Sequence, residues 1–302
     1  MTHILLAGRT GQVGRELERL LSRGVRLAAL GRQKMDLCSP DSIRRAVRGI
    51  SPDIIVNAAA YTAVDKAESE PELAMQVNGV APGVLAEEAK RVNALLVHYS
   101  TDYIFDGVHA EPYVEEDVPN PRNTYGKTKL EGERAIAAAG GAYLILRTSW
   151  IYSAQPPNFV LTMLKLGREK KELAVVDDQV GSPTWARALA EATTELLRQS
   201  DRARQASGVY HFSAQGYTSR FNFAKRIFEV AREISHTATG SPVLRPITTA
   251  EYPLPAARPL NAATSKEKIR RVFGVEMPEW EDQLRGFLKE IQLQFLPPQG
   301  KG

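Results

Sequence analysis

The 302-residue chain has a single cysteine, Cys38, so no internal disulfide can brace it. Its five histidines are scattered without ligand spacing such as His-x-x-x-His, which argues against a structural zinc site. No apolar run approaches the roughly 20 residues needed to cross a bilayer, and a transmembrane reading is excluded. Charge of one sign is also missing: 39 Lys and Arg stand against 35 Asp and Glu, a formal +4 spread along the chain. That distribution offers no basic patch for nucleic acid and suits a small anionic ligand better. Met1-Thr2-His3 runs straight into Ile4-Leu5-Leu6-Ala7 with no basic region or cleavage site ahead of it. No secretory leader is expected, and the cytoplasm is the expected compartment. What is present is an ordinary globular composition, 43% hydrophobic and 25% charged, on a chain long enough for one large unit or two modest ones.

The first half alternates short apolar runs with longer amphipathic ones, the pattern of strand-helix-strand units around a doubly wound parallel sheet. Strands are expected at His3–Ala7, Val25–Leu30, Asp53–Val56, Ala94–Tyr99 and Ala142–Arg147. Helices are expected near Gln12–Ser22, Pro40–Arg48, Glu70–Arg91 and Tyr125–Ala139, the third broken around Gly79, Pro82 and Gly83. After Trp150 the joints lengthen: Asn158–Lys170, Thr184–Arg198 and Ser219–Glu233 read as helical, Glu172–Val176 and Gly208–Phe212 as strands. Ser241–Pro259 holds five prolines and reads as extended, and a final helix near Pro278–Gln292 precedes a frayed Pro-Pro-Gln-Gly tail.

The first strand enters Gly8-Arg9-Thr10-Gly11-Gln12-Val13-Gly14, three glycines spaced by three ahead of a helix. Such a turn lets backbone approach a pyrophosphate, with the helix N-terminus offering free N–H groups and a positive dipole end. At the end of the second strand, where a carboxylate would accept from a ribose 2′-hydroxyl, the chain has Leu30-Gly31-Arg32. An arginine favours a 2′-phosphate, so NADPH is the expected cofactor with NADH tolerated. Asp36-Leu37 can bracket the adenine.

The fourth strand ends in Ser100-Thr101-Asp102-Tyr103, a hydroxyl at the carboxyl edge where open α/β sheets bind ligands. Tyr125 and Lys129 lie four apart on one face of the following helix. Reducing a ketone needs a proton donor for the developing alkoxide, and a free tyrosine, with a pKa near ~10, is a poor one at neutral pH. A nearby ammonium is expected to lower that pKa and to grip the nicotinamide ribose. The Thr101 hydroxyl is expected to hold the substrate carbonyl.

This ordered set resembles the dTDP-4-dehydrorhamnose reductase family of extended short-chain dehydrogenases. It includes the glycine turn, Asn57-Ala58-Ala59-Ala60-Tyr61-Thr62-Ala63-Val64-Asp65, Ser100 to Gly107 and Tyr125-Gly126-Lys127-Thr128-Lys129. Further matches are Arg147-Thr148-Ser149-Trp150, Asp178-Gln179-Val180-Gly181 and Arg258-Pro259-Leu260-Asn261, so the likeness spans nearly the whole chain. It implies a Rossmann-type α/β fold in which residues 1–150 and roughly 182–212 bind the dinucleotide. A smaller α/β unit, roughly 151–181 and 213–302, would bind a dTDP-sugar. The implied reaction carries hydride from NAD(P)H to C4 of dTDP-4-dehydro-L-rhamnose, with Tyr125 giving the proton. Gly8, Thr10, Gly11, Gln12, Val13 and Gly14 would meet the pyrophosphate, and Arg32, Asp36 and Leu37 the adenosine. Ala59, Ala60, Tyr61, Thr62, Tyr99, Tyr125 and Lys129 would complete the cofactor site. Thr101, Asp102, Tyr103, Tyr125 and Trp150 would line the sugar pocket, with Trp150 as a stacking wall. Val64, Asp65, Gln179 and Arg258 are further substrate contacts, Arg258 for the diphosphate.

Some members of the family dimerise through Mg²⁺, and Glu16 matches one ligand. A basic residue, Arg187, stands where a second is wanted, so no bound metal is expected and the chain is read as a monomer or homodimer. Two other readings share the fold: a reductase or epimerase for another 4-keto-6-deoxy nucleotide sugar, and a non-catalytic NADP-binding regulatory subunit.

Overall fold

The computed structural model describes residues 1–235 and 242–295. Six strands form one parallel sheet: β1 His3–Ala7, β2 Arg26–Leu30, β3 Ile54–Asn57, β4 Leu95–Thr101, β5 Tyr143–Thr148 and β6 Gly208–His211, in the order β6-β5-β4-β3-β1-β2. Strands β3 and β4 are buried along their full length, as expected of strands covered by helices on both faces. The chain reverses its winding between β1 and β3. The carboxyl ends of those two strands therefore flank the crevice in which doubly wound sheets bind ligands.

One face is packed by the helices α1 Gln12–Leu21 and Ala186–Arg198, through Leu17, Leu21, Leu189 and Leu196. The other is packed by Pro40–Ile50, Ala81–Arg91 and Thr124–Ala139, through Ile43, Val47, Leu85 and Ile136. A separate apolar cluster, including Tyr152, Val160, Leu173, Phe223, Ile227 and Phe287, joins the helices Phe159–Glu169, Arg220–Ser235 and Trp280–Phe295 to a parallel pair, Glu172–Val176 with Val243–Ile247.

All five strands expected in the first half form. The expected break in the third helix falls at Gln76–Val80, a π-helical turn between Pro71–Met75 and Ala81–Arg91. Its product is the buried side chain of Asn78, whose Oδ1 accepts from Tyr61 N at 2.9 Å while Nδ2 donates to Tyr61 O at 3.0 Å. Within the proline-rich stretch Val243–Ile247 is extended, as expected, but Thr249–Glu251 forms a short 3₁₀ turn closed by the Thr248 and Glu251 side chains; Ser241 and the Pro-Pro-Gln-Gly tail lie outside the described residues. Three short helices were not legible: Val64–Ala67, Ser200–Gln205 and Glu267–Phe273, each too brief to show a period.

Candidate active site

The glycine turn closes on itself, Gly11 N donating to Gly8 O at 3.0 Å. Gly8 has φ +84°, and a Cβ on Gly14 would stand 2.0 Å from Gly8 O, so both positions require glycine. Among the described residues no side chain caps the N-terminus of α1, which leaves its first N–H groups open to an anion. Beside the turn lies a cavity of about 270 Å³ lined by Gly8, Thr10, Arg32, Asp36, Leu37 and Ala60, among others. This is a cradle of the shape and chemistry that a dinucleotide's adenosine and pyrophosphate need. Ala59 and Tyr61 also line it. Arg32 is exposed at its mouth, 3.7 Å from Asp36. Gln12 is anchored from the far side, the Ser153 hydroxyl meeting its Oε1 at 2.9 Å, and Val13 is buried in the core. Gly14→Ala would force the turn open; dinucleotide affinity, read by fluorescence titration, is expected to fall at least about tenfold, or 1.4 kcal/mol.

Thr101, Tyr103 and Tyr125 converge at the carboxyl end of β4. Helix Thr124–Ala139 starts there because the Asn123 side chain accepts from Gly126 N at 2.7 Å. Gly126 lets that first turn press on the loop below, since a Cβ would lie 2.2 Å from Tyr103 O. The Tyr103 and Tyr125 rings meet edge to face at 5.8 Å. Burial pushes the Tyr125 phenol well above its ordinary pKa, and the neighbouring Thr101 hydroxyl pulls the other way. The expected lowering by Lys129 is absent. The lysine turns into the core, donating to Tyr99 O at 2.6 Å with its Nζ 3.1 Å from His98 Nε2, and burial brings its own pKa down to about 8. Thr101 donates to Asp102 Oδ1 at 3.1 Å, and Ser149 donates to Asp102 Oδ2 at 2.6 Å. Burial lifts the Asp102 carboxyl to about 6.

Several expected contacts fall elsewhere. The Tyr99 side chain is buried on the opposite face of the sheet, its hydroxyl 2.5 Å from Thr193 Oγ1, so only its main chain reaches the site. Trp150, at φ +42°, does not present a bare wall to a sugar. The Arg220 guanidinium lies 3.5 Å above its ring, and Gly181 presses so close that a Cβ would stand 2.5 Å from Cε2. Arg258 is not a free anion ligand but a partner of Asp65, Nη1 to Oδ1 at 2.6 Å and Nη2 to Oδ2 at 2.8 Å. Val64 begins a short helix beside it, Thr62 is exposed, and Gln179 donates to Thr249 at 3.0 Å. Glu16 accepts from Arg187 Nε at 3.1 Å and from Arg19 at 3.1 Å, and Arg187 also pairs with Glu290. Among the described residues no group of three or more His, Cys, Asp or Glu is placed to hold a metal.

A parallel sheet with a glycine-turn crevice, and Thr101 and Tyr125 meeting at the carboxyl end of its fourth strand, has the form of an oxidoreductase of the extended short-chain type. The chain matches the family described as the RmlD substrate binding domain over residues 1–293, and it belongs to that family. It is 46% identical to the dTDP-4-dehydrorhamnose reductase of Burkholderia thailandensis, over 92% of this chain and 95% of that one. It is 42% identical to the Escherichia coli K12 enzyme of the same name, over 96% and 98%. The crystal structure of the Bacillus anthracis reductase in complex with NADP superposes with a TM-score of 0.88 at 35% identity, covering 96% of this chain and 99% of that one. A Thermus thermophilus UDP-glucose 4-epimerase, 19% identical with a TM-score of 0.76, shares the fold. No helix among the described residues is long and apolar enough to cross a membrane.

Proposed function

We propose that this protein reduces the C4 ketone of dTDP-4-dehydro-L-rhamnose to give dTDP-L-rhamnose, with NADPH preferred and NADH accepted, in cytoplasmic dTDP-rhamnose biosynthesis. The observation that carries the reading is the gathering of Thr101 and Tyr125, with Lys129 one turn further along the same helix, beside the glycine cradle. Gly8 to Gly14, Arg32, Asp36 and Ala59 to Tyr61 would hold the cofactor, which supplies the hydride. Tyr125 gives its phenolic proton to the alkoxide oxygen developing at C4. Burial keeps that phenol protonated through the neutral range, though it also makes the phenol a weaker acid than one tuned toward neutrality. Thr101 orients the carbonyl, and Lys129 contributes to the cofactor ribose site. The division into a dinucleotide unit, 1–150 with about 182–212, and a sugar unit formed by the rest belongs to the same reading. So does metal independence, because Arg187 occupies the carboxylate of Glu16.

The test mixes purified protein, NADPH and enzymatically generated dTDP-4-dehydro-L-rhamnose, follows nicotinamide absorbance and identifies the product by NMR. Oxidation with dTDP-L-rhamnose formed, undiminished by EDTA, is expected. Binding of NADPH without turnover, or a different epimer as product, would overturn the assignment.

A further inference from the structure

Leading to Lys129 is a chain of polar groups, through Asn57 and His98, that the reduction chemistry above leaves unused. Asn57 Oδ1 accepts the Ala59 N–H at 3.2 Å. Asn57 Nδ2 sits 3.0 Å from His98 Nδ1, and His98 Nε2 sits 3.1 Å from Lys129 Nζ, which donates to Tyr99 O at 2.6 Å. Asn57, His98 and Lys129 are each 1% exposed, so the chain is shielded and its members must satisfy one another.

The direction of this chain is fixed at one end. A backbone N–H can only donate, so the Asn57 oxygen faces Ala59 and the Asn57 NH₂ faces the imidazole. His98 Nδ1 must then be the bare nitrogen, and the neutral ring carries its proton on Nε2. That N–H points at Lys129 Nζ. An ammonium has three donors and no acceptor, so it would meet His98 donor to donor; an amine has the lone pair the contact needs. Reversing the chain would require turning the Asn57 amide, which sets its NH₂ against the Ala59 N–H.

We propose that Asn57 and His98 are positioning residues: the directed chain they form favours Lys129 as an uncharged amine, and forming the ammonium gives up a hydrogen bond. This rests on the reading of Lys129 as a member of the reducing site. Burial acts in the same direction on Lys129, and it drives His98 far below its usual range, which keeps the ring neutral. The charge on the other side is Glu133, one turn along the same helix, and it is engaged by Arg147 through paired contacts at 2.7 and 3.1 Å and by the Ser100 hydroxyl. Tyr125 is the remaining titratable group on that face of the helix, and it stays neutral. Lys129 therefore loses its charge at a lower pH than a free lysine, and turnover should fall as pH rises through that change.

The decisive measurement is nitrogen NMR of protein labelled at histidine, without substrate, the His98 signals being identified by their loss in His98→Gln. A neutral ring protonated on Nε2 is expected. Protonation on Nδ1, or on both nitrogens, overturns the proposal, and this readout holds whatever the sugar substrate proves to be. Asn57→Asp places a carboxylate that accepts from both Ala59 and His98. It should move the His98 proton to Nδ1, free Nε2 to accept from an ammonium, and raise the alkaline limb of kcat/KM by about one pH unit. A merely structural role would lower kcat at every pH without moving the limb. A reversed tautomer with an unmoved limb also overturns the proposal, and the wild-type spectrum decides even if Asn57→Asp does not fold.

Discussion

Tyr125→Phe is expected to lower kcat by roughly 10²–10⁴ while leaving cofactor affinity nearly unchanged. The substitution keeps the ring and its edge contact with Tyr103, and removes only the oxygen that carries the proton. The acid is needed only as charge develops on the sugar oxygen, so the loss belongs in kcat rather than in binding. Steady-state rates combined with a fluorescence titration of NADPH separate the two. A Phe variant within tenfold of full activity would remove Tyr125 from the role of acid and turn attention to Thr101 and Asp102, whose carboxyl lies near neutrality.

The second large effect is on stability. Glu133 and Arg147 form a buried pair, side chains 5% and 4% exposed, with Arg147 also 5.3 Å above the Phe105 ring. Among the described residues Arg147 Nη1 has no hydrogen-bond partner. Glu133→Ala strands the guanidinium in the core and should cost about 3–5 kcal/mol. Urea unfolding read against wild type checks this. Glu133→Leu combined with Arg147→Met removes both charges and should recover much of the loss, because a buried ion pair is worth little beyond an apolar one. Equal destabilisation by the single and double variants would show that packing, not charge, governs the site.

The glycine turn and the Tyr125/Lys129 pair were legible because each is contiguous in sequence, so that spacing alone places its members together. The contacts that correct the reading are between segments far apart. Arg220 reaches Trp150 across the start of a helix that begins seventy residues later, and Asp65 takes Arg258 from almost two hundred residues away. Strand parity held one clue. In β4 the residues Leu95, Val97 and Tyr99 face one cluster, which leaves His98 and Ser100 for the other face. Lys129 and Glu133, four apart on the covering helix, meet those two strand residues in register. A histidine and a serine on one parity of an otherwise apolar strand, and a lysine and a glutamate four apart on the next helix pattern, were the part of this signal that sequence carries. The role of Asn78 was less accessible, because it depends on a π-helical turn that composition does not specify.

The helix bearing Tyr125 and Lys129 also defies a common engineering rule. Its glycines, Gly126 and Gly132, look like weak points whose replacement by alanine would gain up to about 1 kcal/mol of helix propensity. A Cβ at Gly132 would lie 2.1 Å from Asn78 O, and one at Gly126 would lie 2.2 Å from Tyr103 O. Either would push the helix off the segment it packs against. A campaign for thermostability guided by propensity would therefore trade catalytic alignment for helicity, and these two positions belong on its list of residues to leave untouched.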